Sequence, residues 1–125
     1  MAYELNLECI TLEAGADLSA KQYFFVTQAA GDGQVDPTGD GLLANGVLQN
    51  KPDAAGKAAT IAVRGISKVS AGAAVTRGDI VASDANGEAI TVGSGDFPLG
   101  RALEAATAAH DIIAVQLMIT ATVKA

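Results

Sequence analysis

Apolar and polar residues alternate without error in the first strand-length segment of the chain, from Tyr3 to Cys9. Successive side chains of a β-strand point to opposite faces, so the apolar residues of this segment would share one face. They are Tyr3, Leu5, Leu7 and Cys9. The pattern predicts a half-buried strand or an extended arm that lies on a partner. It divides the chain into a strand or arm over residues 1–15 and a single domain over residues 16–125.

A second strand is predicted over residues 22–27, where aromatic and β-branched residues are concentrated. Both of its faces are apolar, because Tyr23 and Phe25 would lie on one face and Phe24 and Val26 on the other. A strand that is apolar on both faces is buried on both sides or covered by a partner. Two interpretations therefore stay open for these side chains, an ordinary core and a contact between subunits.

The middle of the chain is predicted to consist of short strands joined by turns. The 26 alanines favour helices, but the 14 glycines interrupt most helix-length windows. The strongest strand is predicted from Ala59 to Val69. Its alternation slips by one position at Gly65, as it would at a β-bulge.

Two hairpins are predicted in the second half of the chain. Asn86-Gly87 predicts a type I′ turn between residues 80–81 and 89–92, because both central residues of that turn need positive φ. Residues 99–106 fit either a helix or a strand. We favour a hairpin with the β-branched run at 112–118, since so apolar a strand needs a partner.

Residues 31–41 are predicted to form a loop, because Gly and Asp dominate the segment. Asp32, Asp36 and Asp40 could supply oxygen ligands to calcium. Their spacing of four residues matches no EF-hand loop, and a solvated turn is the favoured interpretation.

Composition and charge restrict the class of protein. Half of the residues are apolar and the formal net charge is −6, which suits one folded domain and excludes a disordered chain. No apolar run is long enough to span a membrane, and the acidic balance argues against binding to nucleic acid. The single cysteine, Cys9, cannot form an internal disulfide.

Candidate catalytic groups are few. His110, beside Asp111, is the only histidine, and Cys9 is expected to be a buried, inert thiol on its alternating strand. One His and one Cys cannot form the usual zinc site within one chain. The glycine pairs at 31–33 and 93–95 lack the lysine and helix of a phosphate-binding loop. We therefore predict no enzymatic activity, no cofactor and no metal.

An ordered series of segments resembles a known family. The series comprises Gly46–Pro52 (GVLQNKP), Ile61–Val69 (IAVRGISKV), Gly78–Val81 (GDIV), Ser83–Gly87 (SDANG) and Gly100–Ala105 (GRALEA). Its order and spacing are similar to those of the tailed-phage capsid cement, or head decoration, proteins, over about residues 20–118. Each segment alone is ordinary turn and strand sequence, so the resemblance depends on the whole set.

The resemblance implies a mainly β fold: a small β-barrel or β-sandwich-like (β-tulip-like) domain with short turns and an extended N-terminal segment. It implies a structural virion protein that is assembled in the bacterial cytoplasm and binds the outer surface of the expanded head. The implied partner is the major capsid protein, which a homotrimer at local three-fold positions would brace against internal DNA pressure. The resemblance supplies no catalytic, cofactor-binding or metal-binding residue.

Candidate contacts with the capsid or with other subunits are Tyr3, Leu5, Leu7, Tyr23 and Phe25. The N-terminal segment is the candidate for the capsid contact, because an extended strand can add to a sheet edge of a coat subunit. The alternative from another class is a small β-barrel carrier or ligand-binding module of a metabolic enzyme. That alternative predicts a small-molecule pocket and a monomer.

Overall fold

The structure is a computed structural model that describes residues 2–125. It consists of nine strands joined by turns and loops, and this confirms the mainly β prediction. The strands are β1 (Leu5–Ala14), β2 (Phe25–Gln28), β3 (Gln34–Pro37), β4 (Gly46–Leu48), β5 (Ala58–Ser70), β6 (Ile80–Ser83), β7 (Ala89–Thr91), β8 (Gly100–Ala102) and β9 (Ile112–Leu117). Within residues 2–125, no helix is long and apolar enough to cross a membrane.

The nine strands form two closed rings that share β5. The strand order is β1-β3-β2-β4-β5-β9-β8-β6-β7, and an additional β1–β5 pairing closes the first five strands into a small barrel. The other strands leave β5 through β9 and return to it through β7. An isolated parallel bridge between Ala71 and Ala89 joins β7 to the residue that follows β5. The fold is therefore two fused rings with β5 as their common wall.

Each ring has its own core. The core of the first ring, called the small core, consists of Ala14, Leu18, Val26, Val35, Leu48, Ala59 and Ile61. The large core contains Val69, Val81, Leu99, Ile113, Val115 and Leu117 among fifteen buried residues. β2 contributes to both, because Phe25 is fully buried in the large core and Val26 in the small core. This double burial explains why the segment is apolar on both faces.

Gly65 lets β5 serve both rings. Its φ of 104° lies in a region that side-chain-bearing residues rarely adopt. Ala62 contacts the large core before this position and Val69 after it, so the core-facing residues change from even to odd. The register of β1 against β5 also shifts twice between Leu5 and Cys9. The predicted slip at Gly65 is confirmed.

The prediction of a loop over residues 31–41 is wrong, because the segment contains β3. Val35 is fully buried and pairs with Ala14 of β1 and Gln28 of β2. It is the one large apolar residue in a segment rich in Gly and Asp, so its own pattern carries no strand signal. The strand is defined instead by its neighbours on both edges.

Both predicted hairpins are present, although the type I′ turn is not. β6 pairs with β7 across the turn at residues 84–88. β8 pairs with β9, beginning with the pair Gly100 and Leu117, so residues 99–106 do not form the alternative helix. In the first turn Gly87 has a φ of 91°, whereas Asn86 has no positive φ. The Asp84 carboxylate accepts hydrogen bonds from the N–H groups of Asn86 (2.8 Å) and Glu88 (3.0 Å). These bonds favour a longer turn with one left-handed glycine.

The substitution Gly65→Ala should destabilise the fold by about 2–4 kcal/mol, since an unfavourable φ and steric overlap add. A Cβ at this position would overlap the carbonyl oxygen of Asn6 and lie 2.9 Å from that of Leu5. Gly33→Ala is the matched control, because Gly33 also has positive φ (70°) but open space around it. Gly33→Ala should lower the free energy of unfolding, measured by urea denaturation, by only about 1–2 kcal/mol. Equal costs for the two variants would contradict the assigned role of Gly65.

Candidate interaction surface

The structure places the five sequence-predicted contact residues in different environments. Tyr3 and Leu5 are exposed to 39% and 51%, and Leu7 is half-buried against the large core. Tyr23 is half-buried, and Phe25 is fully buried in the large core. The Phe25 side chain therefore belongs to the core of the single chain, and the exposed members of the set lie on and beside β1.

Tyr23 lies beside β5 instead of continuing β2. Its φ of 70° ends the extended conformation, so β2 begins at Phe25. The Tyr23 carbonyl accepts a hydrogen bond from the N–H of Ser70 (2.9 Å), and the Lys68 ammonium lies 5.8 Å from the Tyr23 ring centroid. Leu5 of β1 pairs with Ile66, which also belongs to β5. The structure thus brings Leu5 and Tyr23 to neighbouring stretches of β5 and keeps Phe25 apart from them.

β1 has an open edge. The Ala14 N–H donates to Lys57 on the β5 side (2.8 Å), whereas the Glu13 N–H donates to Gly33 on the β3 side (2.9 Å). Backbone groups of a strand alternate between its two edges, so the N–H groups of Cys9 and Thr11 point away from β5. β3 pairs only with Glu13 and Ala14. Within residues 2–125, no backbone group pairs with Cys9 or Thr11 on that side.

Cys9 is exposed, so the prediction of a buried thiol is wrong. The alternation from Tyr3 to Cys9 is uniform in the sequence, but the register shifts on both sides of Glu8 disrupt it in the structure. Asn6 also has a positive φ of 52°. The face of β1 therefore changes within the segment, and only Leu7 of its apolar residues contacts a core.

A row of partly exposed side chains crosses the outer side of the second ring. Pairing aligns Leu5 with Ile66, Ile66 with Gln116, Gln116 with Arg101 and Arg101 with Ile80. Directly paired residues in neighbouring antiparallel strands project from the same face of the sheet. The row contains no acidic residue, although the chain has 14 acidic residues and 8 basic ones.

A groove of about 410 Å³ lies at the β1 end of this row. It is lined by Leu5 and Asn6 of β1, by Arg64, Gly65 and Ile66 of β5, and by Gln116 and Leu117 of β9. Arg64 contacts Glu8 at 3.4 Å, and both side chains are exposed. Arg101 donates from Nε to the Gly78 carbonyl (3.1 Å) and forms no ion pair within residues 2–125. The groove thus combines the aliphatic side chains of Leu5, Ile66 and Leu117 with the Arg64 side chain, whereas the Arg101 guanidinium lies at Gly78 outside the groove lining.

His110 and Asp111, the candidate catalytic pair, have separate partners. His110 Nδ1 lies 2.8 Å from Oε2 of Glu88, and the same oxygen accepts the Ser70 hydroxyl at 2.6 Å. Ser70 is not bonded to His110, so the group lacks the serine–histidine contact of a hydrolase. Glu88 is buried, and sequence reasoning missed it because it follows a turn and belongs to no motif.

The Asp111 carboxylate stabilises the loop between β8 and β9. It accepts hydrogen bonds from the Thr107 N–H (2.9 Å), the Thr107 hydroxyl (3.0 Å) and the Ala108 N–H (3.2 Å). These bonds favour the charged form and lower the pKa of Asp111. Within residues 2–125, which include the three aspartates considered for calcium, no group of three or more His, Cys, Asp or Glu side chains could hold a metal.

Comparison with known protein families gives a match to the phage cement proteins over residues 8–117. The chain belongs to this family. As a phage cement protein it is a structural protein of the virion, and the resemblance seen in the sequence is confirmed. No curated protein matches the sequence. The carrier or ligand-binding alternative finds no support in the comparisons.

A solved structure with the same fold is the head fiber gp8.5 N base of bacteriophage phi29. The two chains share 16% sequence identity and superpose with a TM-score of 0.72, over 90% of this cement protein and 94% of the phi29 chain. At this identity the likeness shows a common fold. The phi29 chain therefore has this fold at a low sequence identity.

Cys9 should react with a thiol reagent in the folded cement protein, because its side chain is exposed on β1. We expect about one equivalent to be modified in native buffer at a rate similar to that in denaturant, within roughly tenfold. Absorbance with Ellman's reagent measures both rates. Protection by several orders of magnitude in the native protein would show that the thiol is buried.

Proposed function

We propose that this cement protein binds the outer surface of the expanded phage head and adds its β1 strand to a sheet edge of the major capsid protein. The open edge of β1 is the observation that carries the proposal. A strand with unpaired N–H and C=O groups is a template for pairing with another chain. The edge also lies in the N-terminal segment that the sequence predicted as the capsid contact, a few residues after the exposed Tyr3 and Leu5.

The rest of the fold makes this edge distinctive. The β1–β5 pairing closes the first ring, and the Ala71–Ala89 bridge closes the second. Closed rings leave few unpaired strand edges. Within residues 2–125, the stretch of β1 before Glu13 is the longest strand edge that lacks a partner. Cys9 and Ile10 are exposed on this stretch, and an added strand would place its own side chains beside them.

The proposed role is mechanical and does not involve catalysis. A protein that binds the expanded shell and not its precursor stabilises the expanded state by mass action. A homotrimer at a local three-fold position would connect neighbouring capsid subunits, and many equivalent contacts would add through multivalency. Such contacts would resist the outward pressure of packaged DNA. Membership of the cement family supports this assignment.

The substitution Thr11→Pro should weaken head binding without unfolding the protein. Proline removes the Thr11 N–H, which points to the open edge and makes no bond to β5, and edge positions of this kind tolerate proline. We expect the affinity for heads to fall about tenfold or more, because a hydrogen bond is lost and the proline ring blocks the edge. Co-sedimentation with expanded heads measures it.

Thr11→Val is the matched control for this experiment. It keeps the backbone N–H and the β-branched shape, so head binding should equal that of the wild-type protein. Circular dichroism and urea denaturation check that both variants are folded. If folded Thr11→Pro protein still decorates heads at wild-type affinity, strand addition through β1 is excluded.

A further inference from the structure

The open edge of β1 combines an exposed apolar side chain with an excess of negative charge. The apolar side chain is Ile10, which is exposed to 41%. The charges are those of Glu4, Glu8 and Glu13, and β1 contains no lysine or arginine. We propose that the strand added to this edge has an apolar residue opposite Ile10 and a lysine or arginine opposite Thr11. The inference rests on the proposed strand addition to the capsid and specifies the chemistry of the partner.

Ile10 points towards the small core but lies where the wall of the first ring is incomplete. Ile10 pairs with Ile61 of β5, and Leu12 pairs with Ala59. Ile61 and Ala59 belong to the small core. Directly paired residues project from the same face, so Ile10 and Leu12 point to that core. Leu12 is half-buried, whereas Ile10 is exposed, because β3 pairs with β1 only after Leu12. An apolar residue opposite Ile10 would pack against it and reduce its contact with water.

Carboxylates flank the open stretch of β1. The Glu13 N–H donates to the Gly33 carbonyl (2.9 Å), in the turn that also exposes Asp32. Neither Glu13 nor Asp32 forms an ion pair within residues 2–125. At the other end, Glu8 contacts Arg64 at 3.4 Å, and both side chains are exposed, so water screens the contact. The charges at this edge therefore favour a basic partner.

Thr11 is the position from which a cation on the added strand would reach these carboxylates. Thr11 and Glu13 are two residues apart, so they share one face of β1. β1 pairs regularly with β5 from Cys9 to Glu13, and the Thr11 side chain is exposed. A residue opposite Thr11 would be a diagonal neighbour of Glu13, at a separation that a lysine or arginine side chain spans.

The same charges disfavour a second copy of this chain at the edge. Edge-to-edge pairing of two copies would bring their glutamates together, and like charges on neighbouring strands are destabilising. The net charge of −6 adds repulsion over a longer range. A segment that carries lysine or arginine is attracted instead. Charge thus discriminates between partners that offer the same backbone hydrogen bonds.

Three substitutions at Thr11 test the charge of the partner. Thr11→Glu should bind expanded heads about threefold more tightly than Thr11→Gln, because the new carboxylate would lie directly opposite the cation. Thr11→Lys should bind about threefold more weakly than Thr11→Gln. Glutamine matches glutamate in length and has no charge, so Thr11→Gln is the reference. Co-sedimentation measures the three affinities, and added salt should reduce the differences between them.

Ala109→Glu and Ala109→Lys are the matched controls for net charge. Ala109 is exposed in the loop between β8 and β9, away from β1 and the strands that pair with it. Both variants should bind heads as the wild-type protein does, and circular dichroism checks that every variant is folded. If Thr11→Glu binds no more tightly than Thr11→Gln, or if the Ala109 variants change affinity equally, the basic partner is excluded.

The apolar position is tested at Ile10. Ile10→Thr keeps the β-branched shape but introduces a hydroxyl, and it should weaken head binding about threefold or more. Ile10→Val keeps an apolar side chain and should bind within about twofold of the wild-type protein. Equal affinities of Ile10→Thr and Ile10→Val would overturn the apolar residue in the added strand.

Hydrogen exchange separates failure of this inference from failure of the proposed function. The N–H groups of Cys9 and Thr11 have no partner on the open side within residues 2–125, so strand addition should slow their exchange about tenfold or more in head-bound protein. Slowed exchange without the charge effects at Thr11 overturns the basic partner alone. Unchanged exchange in head-bound protein overturns strand addition and, with it, this inference.

Discussion

β5 pairs with β1 and β4 along its first half and with β9 along its second half, and both rings close around it. One strand can serve two rings only if its side chains change face part-way along, because each ring needs its own inward-facing residues. Gly65 provides that change through a positive φ. The separation of the small core from the large core depends on this change of face.

The division into two cores explains part of the composition of the chain. Each core lies within a ring of only five strands, where space is limited. Five alanines are fully buried: Ala14, Ala59, Ala62, Ala82 and Ala102. Alanine and glycine let the strands approach closely. At Gly46, for example, a Cβ would overlap the Ala62 carbonyl oxygen of the adjacent strand. The buried alanines therefore reflect close packing inside the rings and not helix formation.

Local signals in the sequence predicted the β-rich class, the slip at Gly65 and both hairpins, because a glycine, an Asn-Gly pair or a β-branched run determines these features within a few residues. β3 and the exposure of Cys9 were missed for a common reason. β3 is held by partners from β1 and β2, and the face of β1 is changed by a bulge against β5. The cross-strand row could not be predicted from the sequence either, because Leu5, Ile66 and Arg101 become aligned only through the pairing register of β1, β5, β9 and β8. The family resemblance indicated the biological role without supplying any of these contacts.

The bulges around Glu8 limit how much of the open β1 edge has regular geometry. Regular pairing with β5 extends from Cys9 to Glu13, and β3 already occupies the end of that stretch. An added strand can therefore form only a few hydrogen bonds, each of which contributes modestly in water. A single copy would detach readily, and stable attachment would require several copies held together. Decoration of a shell would then remain reversible at its early stages, so that a misplaced copy could leave before its neighbours fixed it in position.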